Sequence, residues 1–336
     1  MPENMRRLLA VALVLTLAVG QALAQQRAQY TQYVLNNYLA NPAVAGIETY
    51  TDLRTGYRNQ WLGVEGAPTT LNITIHGSLG NYSSSSSRNV RPSRNGFARK
   101  NKYKKARPHH GLGGLLQRDQ AGLLKVSTVN GSYAYHLPLS GYFTLSSGIS
   151  AGISQYSVDL AAARPINSYD PYLSGTRLSN TKLDLGLGLW LYSPDFYIGL
   201  SGAQLVRSKA DVSNGDAPSL SLLPHFYATT GMRLQTSRDL MLIPSVMVKK
   251  TALASPAIDL NFRALYNQRV WGGISYRLKD AWAAMAGVNI NHLIDVGYSY
   301  DVPTSAMNQI SVGSHEIILG LKLNNSRKII CPQWLW

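Results

Sequence analysis

The stretch from Tyr50 to Leu79, YTDLRTGYRNQWLGVEGAPTTLNITIHGSL, constrains this chain most, because it holds two strands that each have an apolar face and a polar one. Thr51, Leu53, Thr55, Tyr57 and Trp61 alternate with Asp52, Arg54, Gly56, Arg58 and Gln60. Past the turn, Leu71, Ile73 and Ile75 alternate with Asn72, Thr74 and His76. Successive side chains on a strand point to opposite faces, so full charges share one face of the first strand. A soluble sandwich would turn that face to water. A membrane barrel would turn it to the lumen and give the apolar face to lipid.

The first residues favour export. Arg6-Arg7 precede the apolar run Leu8–Val19 and the small-residue site Ala22-Leu23-Ala24, the order of a secretory signal. Cleavage after Ala24 leaves Gln25 as the mature terminus. No later apolar stretch approaches the roughly 20 residues of a membrane helix. Charged residues make up only 15% of the chain, alongside 29 Gly and 20 Tyr, whereas a soluble domain carries about 25%. A low charge fraction without a membrane helix fits strands that meet lipid. The single cysteine, Cys331, excludes an intramolecular disulfide framework.

The alternation recurs downstream. Val129, Tyr133 and Leu137 oppose Thr128, Asn130, Ser132 and His136, and Leu183, Leu185, Leu187 and Leu189 interleave with Asp184, Gly186, Gly188 and Trp190. Leu260 and Phe262 interleave with Asp259, Asn261 and Arg263, and Ile317, Leu319 and Leu321 oppose Glu316, Ile318, Gly320 and Lys322. Met241–Val248 is less clean. The series predicts an all-β, antiparallel transmembrane barrel of about fourteen strands, within the range for the outer membrane. Trp61, Tyr192, Tyr266, Trp271 and Trp282 lie near strand ends and are expected in the aromatic girdles. A soluble double-sheet domain is the competing architecture. Before the barrel, Tyr30, Tyr33, Val34 and Tyr38 fall at helical spacing until Asn41-Pro42, which predicts a short helix or turn at one barrel mouth. The expected organisation is a signal peptide (1–24), an N-terminal periplasmic or plug segment (25–48), the barrel (49–323) with a basic, Ser-rich insertion (81–108), and a tail (324–336).

The stretches QYTQYVLNNYLANPAVAG, YRNQWLGVEGAPTTLNITIHGSL, GLGGLLQRDQAGLLKVSTVNGSYAYHLPLS and SHEIILGLKL resemble the PorP/SprF family. The resemblance implies an outer-membrane barrel of the type IX secretion system of Bacteroidetes, supporting export or surface attachment of proteins with C-terminal sorting domains, gliding adhesins among them. It also implies periplasmic and outer-membrane subunits of that machinery as partners. Two departures stand out: the Ser83–Ser87 tract with the basic run, and the terminal Cys-Pro-Gln-Trp-Leu-Trp.

Enzyme chemistry finds little purchase. The chain has no HExxH, GxSxG or P-loop pattern. Asp52, His76, His136, Asp184 and His225 are an inward set that could do acid/base work, and the competing reading makes them lumen lining. Asp52, Arg54, Arg58, His76, Asp184, Asp259 and Arg263 are therefore read as lumen polar residues. His109-His110 point to opposite faces, so metal is not expected, nor any cofactor. A passive porin or solute transporter and a lumen hydrolase are the alternatives to a secretion role.

The net charge of +15 is concentrated: Arg88, Arg91, Arg94, Arg99, Lys100, Lys102, Lys104, Lys105 and Arg107 form an acid-free run, and subtracting those nine leaves +6. Export argues against nucleic acid as its partner. A second connection counted from a periplasmic N-terminus lies in the periplasm, where the run is expected to dock an acidic surface of the secretion machinery.

Overall fold

The computed structural model describes residues 29–80, 107–159, 177–206, 209–210, 220–221, 223–251 and 255–325. The expected signal peptide and the basic run up to Lys105 lie outside the described residues.

Fourteen long strands form one antiparallel sheet that closes on itself. In chain order they are β1 Thr51–Asn59, β2 Thr69–Leu79, β3 His109–Ala121, β4 Leu124–Pro138, β5 Thr144–Asp159, β6 Arg177–Tyr192 and β7 Phe196–Ala203. The series continues with β8 His225–Met232, β9 Leu240–Thr251, β10 Ala257–Tyr266, β11 Val270–Arg277, β12 Ala281–Asn289, β13 Ile294–Pro303 and β14 Ser314–Leu323. Each strand pairs with its sequence neighbours, and β14 returns to β1 with Arg58 opposite Glu316 and Asp52 opposite Lys322. Closure removes both sheet edges, the condition for a sheet to stand in lipid. A two-residue strand, Leu234–Gln235, adds to the start of β9, and Lys209–Ala210 pairs with Leu220–Ser221.

The period-two pattern sets which face points where. Ile75, Val129, Ile153, Leu187 and Leu200 are exposed on the outer surface, while Asn72, Thr74, Asp184 and Ser146 are buried inside. Leu185 is partly exposed and Leu189 is exposed, and Gly186 and Gly188 face in, as the alternation predicts. Two of the aromatics expected in girdles depart from that reading. Tyr192 and Trp271 point inward and are buried, whereas Tyr266 and Trp282 face out. The strand β9 is blurred in sequence because both its faces are apolar. Met241, Ile243 and Met247 turn into the lumen and join the core, while the opposite side of the strand meets the barrel exterior.

That core is not made by the sheet alone. Tyr33, Val34, Tyr38, Leu39, Val44 and Ile47, all upstream of β1, pack with Trp190, Tyr197, Met247, Trp271 and Met285 from the inner wall. The upstream segment folds as three 3₁₀ turns, Gln32–Leu35, Asn37–Leu39 and Pro42–Val44, rather than as one helix. Asn36, with φ −142° and ψ 66°, interrupts it, and Asn41 caps the last turn by accepting from Ala43 N at 2.9 Å.

The two ends of the barrel differ. At the near mouth, where β1 begins, most connections are brief: 139–143, 193–195, 233–239, 267–269 and 290–293. The 80–108 connection is the long exception there. At the far mouth, where β1 ends, 60–68, 160–176, 204–224 and 304–313 are long. Two of these brace one another, Leu62 N donating to Gly313 O at 2.8 Å and Val312 N to Leu62 O at 2.9 Å.

Candidate functional site

The lumen is the candidate site, and the chain's own residues 29–50 occupy it. The sequence pattern places this segment at one mouth; the structure runs it from one mouth to the other. Gln29 and Tyr30 line a cavity with His225, Thr251, Ser255 and Ala257, which stand at the far ends of β8, β9 and β10. Ala45 and Gly46, at the other end of the segment, meet His109 and His136 at the near ends of β3 and β4. The spacing of Tyr30, Tyr33 and Tyr38 reports burial correctly but not direction.

At the far end an ionic cluster holds the segment. Arg58 reaches Asp301 at 2.7 Å and Glu316 at 2.9 Å, with all three side chains buried. Thr31 completes the cluster, its N–H donating to Glu316 Oε2 at 2.8 Å and its hydroxyl to Asp301 Oδ2 at 2.6 Å. Gln32 adds a bond from its side-chain amide to the Glu316 carbonyl at 2.8 Å. One guanidinium cannot neutralise two carboxylates, and the segment's neutral donors supply the remaining hydrogen bonds that buried charge requires. Nearby, Lys249 pairs with Asp259 at 2.5 Å and stands 5.6 Å from the centre of the Tyr33 ring. Arg277 reaches Asp259 at 3.5 Å and Asp280 at 2.9 Å.

Along the middle, polar side chains catch the segment from several strands. Asn36 Nδ2 donates to Thr74 Oγ1 at 2.8 Å, and the Tyr38 and Ser132 hydroxyls are 2.7 Å apart. Asn41 Nδ2 bonds the carbonyls of Leu189 and Leu200 at 3.0 and 3.1 Å. The backbone approaches closely at glycines. A Cβ on Gly111 would overlap the Ala45 carbonyl, one on Gly148 would overlap Ala43, and Gly46 itself sits at φ +74°.

At the near end three histidines receive the Ala45–Gly46 turn. His136 Nε2 lies 2.8 Å from Ala45 O and His109 Nε2 lies 3.1 Å from Gly46 O. A carbonyl only accepts, so both rings carry their proton at Nε2. The two rings stack at 4.3 Å. His76 Nδ1 accepts from Gly46 N at 3.5 Å.

The expected lumen residues have their own partners. Arg54 bonds Asp52 at 3.0 Å and Asp295 at 3.1 Å, and Lys322 approaches Asp295 at 3.5 Å. Asp184 accepts from Asn130 at 3.3 Å and Ser154 at 3.4 Å, and the Arg263 guanidinium stands 5.6 Å from the Trp271 ring. The acid/base set considered from sequence is split, with Asp52 directly opposite His76 in the β1–β2 register and Asp184 and His225 elsewhere in the barrel. His76 and His136 belong to the near mouth and His225 to the far one. His110 turns outward while His109 turns in. Of the basic run, only Arg107 is among the described residues, and it is exposed.

The partners that sequence reading left unassigned are Asp295, Asp301, Glu316, Lys249 and Arg277. Lys249 borders the unclean Met241–Val248 run, whereas the inward parity of Asp295 and Glu316 was readable. Their pairing was not, since Arg58 and Glu316 are 258 residues apart. Chemically, the lumen is an anchored receptacle for a segment of the same chain.

Among solved structures the chain is similar to a Pseudomonas aeruginosa FadL homologue, at 11% identity over 91% of this chain and 97% of that one, TM-score 0.49. It is similar to the Acinetobacter baumannii outer membrane protein Omp33, at 8% identity over 83% and 100%, TM-score 0.46. A third is the translocator domain of the autotransporter NalP from Neisseria meningitidis, at 12% identity over 86% and 93%, TM-score 0.43. No curated protein matches the chain. The family model described as type IX secretion system membrane protein PorP/SprF matches residues 22–321, most of the chain. With its closed fourteen-strand outer-membrane barrel, the chain belongs to the PorP/SprF family of type IX secretion system membrane proteins.

Proposed function

We propose that this chain is a non-enzymatic, occluded outer-membrane subunit of the type IX machinery, which supports export or surface attachment of proteins carrying C-terminal sorting domains. One observation carries the choice over a porin: residues 29–50 fill the lumen and are fastened along their length, by Glu316 and Asp301 at one end and by His109 and His136 at the other. Integral packing of this kind supports a scaffold or docking role rather than passage of solutes. In this reading the signal peptide is removed near Ala24, and the near mouth with its brief turns faces the periplasm, as is usual for such barrels. The 80–108 connection then hangs in the periplasm. Its basic residues Arg88, Arg91, Arg94, Arg99, Lys100, Lys102, Lys104, Lys105 and Arg107 dock an acidic face of a periplasmic subunit.

Loss of the gene should deplete sorting-domain proteins from the surface and medium while leaving other outer-membrane proteins in place. An unchanged surface proteome overturns the secretion role. Purified barrel in planar bilayers should show no steady solute-selective conductance, and such a conductance would favour the porin reading. Charge reversal across the basic run should abolish salt-sensitive recovery of periplasmic subunits.

A further inference from the structure

The direction of the lumen segment has a consequence for where the chain begins. Gln29 shares its cavity with Thr251, Ser255 and Ala257 at the far mouth, and Gly46 lies against His76 and His109 toward the near mouth. Between them the turns bond wall residues in succession: Thr31 to β13 and β14, Asn36 to β2, Asn41 to β6 and β7, Ala45 to β4. The segment is therefore threaded through the barrel with its upstream end at the far mouth.

Chain length closes the argument. From the expected mature terminus at Gln25 to Gln29 the chain extends about 14 Å at most. The apolar band of such a barrel is about 25 Å tall. The lumen is already taken by residues 29–50, and the outer wall is covered by lipid. A processed terminus upstream of Gln29 thus has no route back to the near mouth.

We propose that the mature N-terminus of this protein is delivered through its own barrel to the cell surface, opposite in side to the entrance of β1. The proposal rests on the outer-membrane reading, in which the near mouth is periplasmic. Barrels of this topology are expected to leave both chain ends in the periplasm; here the wall has closed around a threaded segment. The surface end of the thread is fixed by Thr31 and Gln32 on Glu316 and Asp301, where β13 ends and β14 begins. Gln29 and Tyr30 then stand at the mouth that an extracellular partner meets.

Single-cysteine labelling tests the side. In a Cys331→Ser background, which removes the sole native cysteine, the full chain carries Gln29→Cys, Glu65→Cys at the far mouth or Arg238→Cys at the near mouth. Intact cells are treated with a membrane-impermeant maleimide and compared with permeabilised cells, with heat-modifiable gel migration as proof of a folded barrel. Gln29→Cys and Glu65→Cys should label on intact cells as fully as after permeabilisation, and Arg238→Cys only after it. Gln29→Cys behaving like Arg238→Cys overturns the threading. Should Glu65→Cys and Gln29→Cys both require permeabilisation while Arg238→Cys does not, the sidedness reading falls and surface delivery falls with it, whereas the threading stands. A peptide tag placed directly before Gln29 and read by antibody on intact cells decides the matter if packing shields the Gln29 position. Tag detection only in lysed cells counts against the proposal.

Discussion

Arg58 is the residue on which the far end of the lumen depends. Its guanidinium sits between Asp301 and Glu316, with Thr31 bridging both carboxylates. Replacing Arg58 by Met leaves two buried carboxylates facing each other, and removing one partner of a buried pair costs about 3–5 kcal/mol. The urea midpoint of unfolding, read from heat-modifiable migration, should fall accordingly. The Lys125–Asp159 pair is a fitting contrast, because its side chains are 27% and 37% exposed. Lys125→Ala should cost no more than about 1 kcal/mol. Thr31→Val keeps the shape of the side chain but withdraws the hydroxyl that donates to Asp301, at a cost of about 1–3 kcal/mol. Equal midpoints for Arg58→Met and Lys125→Ala would show that the cluster is not an anchor.

At the scale of the strand, β6 shows how the two faces answer to different solvents. Leu187 faces lipid, and an Arg there should impair assembly by about 2–4 kcal/mol if it sits near mid-membrane. Alternation alone makes the lumen side the permissive one, so that Gly188→Ser reads as a mild change. The structure corrects this. A Cβ at Gly188 would run into the Asn41 side chain, which bonds the Leu189 and Leu200 carbonyls. Gly188→Ser is therefore expected to weaken folding measurably, and Leu187→Val to leave it nearly unchanged, both scored as the folded fraction in the outer membrane. A tolerated Gly188→Ser would mean that Asn41 is not held against this strand. The inward Tyr192 and Trp271 have the same origin: near a strand end, an aromatic that faces a filled lumen finds an apolar partner inside rather than a lipid headgroup.

For the whole molecule, the occupied lumen predicts that barrel and segment form one cooperative unit. Residues 33–47 contribute nine of the buried apolar side chains if Tyr30 is counted with them. Deleting 29–48 strips the inner apolar wall of Met241, Ile243, Met247 and Trp271 of its cover and leaves Glu316 and Asp301 without Thr31. Such a chain should either fail to reach the outer membrane or, where it folds, show bilayer conductance absent from the full protein. A truncated barrel as stable and as silent as the full one would show that the segment is an accessory.

The sequence by itself determined the facing of the strongly alternating strands, the approximate number of long strands and the mixed charge of the lumen, because side-chain direction on a strand depends only on parity. It also marked residues 25–48 as a separate, tyrosine-rich element. Only the tertiary structure decided which inward charges meet, since Arg54 finds Asp295 across 241 residues and Arg58 finds Asp301 across 243. Those pairings are set by the register of closure between β1 and β14 and by contacts across the lumen. The two apolar faces of β9 and the direction of the threaded segment were hidden for the same reason. Parity separates inside from outside, whereas what fills the inside depends on the closed wall and on how far the segment reaches along it.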